Sequence, residues 1–131
     1  METGEGGVTV DEDAAQREAH LFRLRQMYGD GATRQLLQTA QADIERDLAV
    51  LEAPRDMATL RATLHNIIGL AAAIQAVRLN EAGVAAHRRA VQAERAGKQE
   101  IDVTDVIKVL RMLSARLPRM RAVLDLSLIH I

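Results

Sequence analysis

The stretch Thr63-Leu64-His65-Asn66-Ile67-Ile68-Gly69-Leu70-Ala71-Ala72-Ala73-Ile74 decides the kind of fold this chain adopts. Leu60, Leu64, Ile67, Ala71 and Ile74 recur at intervals of four and three, so on a helix they line one buried seam. His65 stands one residue past that seam, turned about a quarter-circle away from the core. On the helix surface its neighbours at three and four residues are Arg61, Ile68 and Gly69, with Ala72 one turn further on. A glycine one turn above the ring and an alanine beyond leave that side sterically bare. A partner protein can approach the imidazole closely there.

The whole composition suits helices packed on helices. The 131 residues make one domain with a single hydrophobic core. Apolar residues are 48% of the chain and aromatics only 2%, so that core must be built from Leu, Ile, Val, Ala and Met. Few β-branched runs support strands. A net charge of −1 argues against a nucleic-acid-binding surface, which shows a basic excess. The chain has no cysteine, which excludes disulfides and cysteine-ligated zinc. No apolar run reaches the length of a membrane span, and the acidic N-terminus is unlike a signal peptide. A cytoplasmic location is expected.

Outward from the central stretch, the punctuation predicts the remaining elements. Residues 1–13 are glycine-rich and acidic and read as a disordered lead-in to a bundle spanning 14–125. A short helix over 14–28, with His20 facing solvent, carries the only two aromatics, Phe22 and Tyr28. Gly29-Asp30-Gly31 breaks it, and Asp30 is suited to cap a second helix from Ala32 to Ala53, with Leu37, Ala40, Ile44, Leu48 and Leu51 inward. Pro54 and Arg55 mark a turn, and Asp56 caps the helix bearing His65.

That helix ends near Ile74 or Gln75. The next, from Val77 to about Ala96, is rich in small residues, which let helix axes come close and bring His87 towards His65. Gly97 ends it. The last helix starts near Thr104 as N-cap, buries Val106, Leu110, Leu113, Leu117, Met120 and Leu124, and should kink at Pro118. The tail 126–131, Leu-Ser-Leu-Ile-His-Ile, matches a translated transposon end used in sequencing libraries, and is expected to be non-native, with no role for His130.

The fold expectation is therefore all-α: an antiparallel up-down four-helix bundle with a short additional N-terminal helix.

A histidine, an aliphatic two residues on, a glycine four residues on, then a small-residue run and a second helix resemble the histidine phosphotransfer (HPt) domain family. The likeness runs without a gap through Ala71-Ala72-Ala73-Ile74-Gln75-Ala76-Val77-Arg78-Leu79, and helix lengths agree from about Asp30 to Leu124. It implies a phosphocarrier of two-component signalling, with His65 as phosphoacceptor and His87 and Gly69 supporting it. Arg61, Ile68, Ala72 and Arg88 would dock a response-regulator receiver domain or a hybrid histidine kinase. The family commonly places glycine where Gln75 stands, for a left-handed turn.

Two positions depart from the family pattern. Lysine usually stands where this chain has Ile68, and glutamine or glutamate often stands where it has His87. Losing a lysine weakens steering towards an acidic receiver pocket, while Ile68 extends an apolar patch. A neutral His87 could replace the acceptor that holds the His65 Nδ1–H. The alternative expectation is a degenerate bundle that binds a receiver or kinase as an adaptor without carrying phosphate. A third is a structural helical protein.

The chemistry asks little of the carrier. It needs an exposed neutral imidazole in one orientation, and the partner supplies Mg²⁺ and charge stabilisation. No glycine-rich nucleotide loop is present, so the expectation is a relay intermediate, not a stand-alone enzyme, with no metal of its own. His65 and His87 lack a third ligand at metal-binding spacing.

Overall fold

The computed structural model describes residues 10–53 and 55–129, with side chains described between 13 and 126. Among them every regular element is a helix: α1 (Val10–Glu52), α2 (Met57–Ala73), α3 (Val77–Arg95) and α4 (Thr104–Ile129). Each packs against its neighbour in sequence, and α4 returns to α1, so the contacts close a ring. The predicted seam on α2 is buried at all five positions, as is the six-residue stripe on α4. Leu37, Ala40, Ile44 and Leu51 complete the core from α1, with Leu48 partly covered.

α1 begins inside the expected lead-in. Residues 1–9 lie outside the described residues, but Val10 to Asp13 are already helical. Asp13 stands near the start of the helix, where a carboxylate complements the positive end of the helix dipole. Asp13 further pairs with Arg17 one turn on, at 3.5 Å.

The predicted break appears at one residue, Gly29, whose φ of 79° and ψ of 170° interrupt the helix. The chain is helical again at once. Asp30, expected as a cap, instead accepts two bonds from Arg25, at 2.7 and 2.9 Å. Thr33, fully buried, donates its hydroxyl to the Leu24 carbonyl at 3.1 Å. Both contacts reach across the break, and the Thr33 hydroxyl gives a backbone carbonyl there a side-chain partner.

Other ends are closed by local chemistry. Asp56 caps α2 as predicted, accepting from the Thr59 amide at 2.7 Å, and that bond holds its carboxyl below the usual range. Past α2, Gln75 takes the left-handed conformation, with φ 56°. The Gln75 amide donates to Ala72 and the Ala76 amide to Ala71, at 3.3 and 2.8 Å, a Schellman ending. α3 ends the same way around Gly97.

At the start of α4, Thr104 is not the cap. Its amide and hydroxyl both donate to Asp102, at 2.9 and 2.6 Å, and the helix ladder begins from Val103. A carboxylate two residues upstream outcompetes the hydroxyl as acceptor. Pro118 lies within α4 without ending it. The helix continues through Leu126 to Ile129, while Pro54, His130 and Ile131 lie outside the described residues.

Candidate functional site

α2 presents His65 to solvent from its middle, as the seam requires: Leu64 on one side is fully buried, and the ring turns outward. Gly69 and Ala72 are exposed on the same face. A Cβ built on Gly69 would meet no atom within 4 Å. Packing within the chain therefore gives no reason for glycine there, although glycine inside a helix costs roughly 0.5–1 kcal/mol relative to alanine. The lip above His65 is open.

α3 brings up the second histidine. Its buried face is Leu79 followed by the small residues Gly83, Ala86, Ala90 and Ala93, at alternating steps of four and three. At Gly83 the approach to α2 is so close that an added Cβ would stand 3.1 Å from Ile68 Cγ1. Half-buried His87 thus comes to lie beside His65, with ring centroids 6.5 Å apart and planes tilted by 53°. Two imidazoles joined by a direct N–H···N bond of ~3 Å would have closer centroids. The expected acceptor role is not realised as a direct bond.

Two docking candidates are engaged within the chain. Ile68 is half-buried, its side chain lying over Gly83, and its carbonyl accepts from Asn80 Nδ2 at 3.5 Å. It seals the α2–α3 seam instead of simply extending an exposed patch. Arg61 pairs with Glu94 of α3, Nε to Oε1 at 3.0 Å. Arg88 is exposed and makes no ion pair among the described residues. Arg89 beside it is held by Asp105 at 3.0 Å and the Asp102 carbonyl at 2.9 Å.

His20 is the residue the sequence reading misplaced. Expected in solvent, it is 2% exposed, and its Nε2–H donates to the Ile74 carbonyl at 2.7 Å. Tyr28, also on α1, donates its hydroxyl to the Ala73 carbonyl at 3.0 Å. Together they serve the last carbonyls of the helix that carries His65, groups a helix end leaves without intrahelical partners. The available signal was spacing: His20 precedes Leu24 by four and Leu21 by one, which puts it on the buried stripe.

Among the described residues no group of three or more His, Cys, Asp or Glu is arranged to hold a metal ion. Nor is any helix among them long and apolar enough to cross a membrane. Comparison with protein-family models, with curated proteins and with solved structures returns no match.

Proposed function

We propose that this chain is a histidine phosphotransfer protein, an antiparallel up-down bundle whose segment before Gly29 is the additional N-terminal helix. His65 carries the phosphoryl group between a kinase or receiver and a response-regulator aspartate. One observation carries the reading: an exposed imidazole in mid-helix lies beneath a glycine that nothing in the chain requires. That vacancy suits the close approach of a receiver's aspartyl phosphate.

In the transfer, the Nε2 lone pair forms the N–P bond as the P–O bond to the receiver aspartate breaks. The aspartate leaves as a carboxylate and Nδ1 keeps its proton. Metal-ion charge neutralisation belongs to the receiver, and this chain contributes orientation and access. Docking uses the exposed faces of α2 and α3, with Arg88 as the available cation. His87 can steady the His65 ring through a bridging group, not by direct contact.

Ile68 in the lysine position, folded over Gly83, favours a second reading: an adaptor that grips a receiver without accepting phosphate. Incubation with a phosphorylated receiver separates the two. The carrier gives label on this chain that His65→Gln abolishes while the helical circular dichroism is unchanged. The adaptor gives receiver binding with no label in either protein.

A further inference from the structure

The part of α1 before Gly29 is lightly fastened to the bundle. Over residues 14–28 only His20, Leu21 and Leu24 are buried. After the break the same helix buries Thr33, Leu37, Ala40, Ile44, Asp47 and Leu51. Beside the earlier part, a hollow of about 240 Å³ lies between His20 and Arg23 on one side and Leu79 of α3 and Leu113 of α4 on the other. Side chains that face a hollow forgo the contacts that close packing supplies.

Gly29 gives this part a pivot. Its φ of 79° with ψ of 170° is a backbone conformation open to glycine, and a Cβ there would meet nothing within 4 Å. Two side-chain bonds fasten this part to the end of α2, from His20 to the Ile74 carbonyl at 2.7 Å and from Tyr28 to the Ala73 carbonyl at 3.0 Å. Arg116 of α4 adds only long contacts, to Gln16 Oε1 at 3.5 Å and Asp13 Oδ1 at 3.6 Å.

The His20 joint depends on the charge of the ring. With Nε2–H given to Ile74, the neutral ring leaves Nδ1 as a lone pair, buried and without a partner. A proton there would be a second donor with no acceptor, at an atom that water does not reach. It would also add a cation among Arg23 of α1, Arg78 of α3 and Arg116 of α4, which face the same hollow. The one carboxylate paired with any of these is Asp13, which Arg17 and Arg116 share. Burial first, then Arg116 and Arg23, hold the His20 pKa below its usual 6.5 against the opposing pull of the Ile74 bond. The ring takes its proton readily only when this part of the chain is open.

We propose that the part of α1 before Gly29 opens as a unit about that residue, and that a proton on His20 drives the opening. Opening also releases the Thr33 hydroxyl from the Leu24 carbonyl. Once undocked, a helix of about 15 residues is marginal in water and unfolds. Leu79, Leu113 and the last carbonyls of α2 are then bared, so acid turns a closed end of the bundle into an exposed apolar one. Neither His65 nor His87 lines the hollow, and the device stands independently of the phosphocarrier reading.

Amide hydrogen exchange of the full chain, followed by NMR between pH 7.5 and 5 and corrected for intrinsic rates, tests this. At neutral pH the amides of Leu21 to Gln26 should share one protection level, below that of Leu64 to Leu70 in α2. From pH 6.5 to 5 their protection should fall about tenfold, the scale of one proton taken up on opening. His20→Gln, which keeps a donor for Ile74, should abolish that fall. Tyr28→Phe removes the second bond at an exposed position, so it should lower protection over Leu21 to Gln26 about fivefold at every pH and keep the pH dependence. Equal protection of the two stretches at neutral pH overturns the proposal. So does a tenfold fall that persists in His20→Gln, or protection that Tyr28→Phe leaves unmoved.

Discussion

Gly69 is an unusual residue to find in the interior of α2. A Cβ there meets nothing, and the φ of this residue is not in the left-handed region, so neither packing nor backbone geometry requires glycine. Gly69→Ala should therefore stabilise the fold by about 0.5–1 kcal/mol, through helix propensity and a less flexible unfolded chain. Urea unfolding checks this. If a receiver must come close to His65, the same substitution should slow phosphotransfer, so stability and transfer would move in opposite directions. The neighbouring Ile68 behaves otherwise, since its side chain is already occupied against Gly83. Sequence spacing located His65, Gly69 and Ala72 on one face, but it could not show which neighbours were free. Arg61 looked available and is tied to Glu94.

At the scale of the element, helix ends show where local chemistry suffices and where it does not. The expected end of α2 near Ile74 or Gln75, where the HPt pattern commonly places glycine for a left-handed turn, is where the helix closes. The left-handed φ of 56° at Gln75 is a conformation that L residues adopt at a cost of about 1–2 kcal/mol. Its side-chain amide recovers part of this by donating to Ala72 O at 3.2 Å. Gln75→Gly should accordingly stabilise the protein by about 1 kcal/mol, read as a higher urea midpoint at unchanged slope. Thr104 and Asp30 are the opposite lesson. Both are good caps by type, yet Asp102 displaces the first and Arg25 engages the second.

Across the whole molecule, α1 is joined to the end of α2 by His20 and Tyr28, and that joint has a pH signature. Burial lowers the His20 pKa below its ordinary 6.5, so below that value the unfolded chain binds more protons than the folded one. Stability is therefore level above about pH 6.5 and falls as pH drops from there towards the depressed folded value. Thermal melts between neutral and mildly acid pH should show the decline. His20→Gln, which keeps a donor for Ile74 O, should flatten it.

By itself the sequence determined the helices, the buried stripes and the outward facing of His65. All three follow from a 3.6-residue repeat and from Gly, Pro and Asp as punctuation, which act within a few residues. Only the tertiary structure decided the approach of His87 to 6.5 Å, the seating of Ile68 on Gly83 and the burial of His20 against Ile74 O. Those contacts join residues that are far apart along the chain. Which of them meet is set by how closely whole helix faces can approach, and a one-dimensional pattern carries that distance only indirectly.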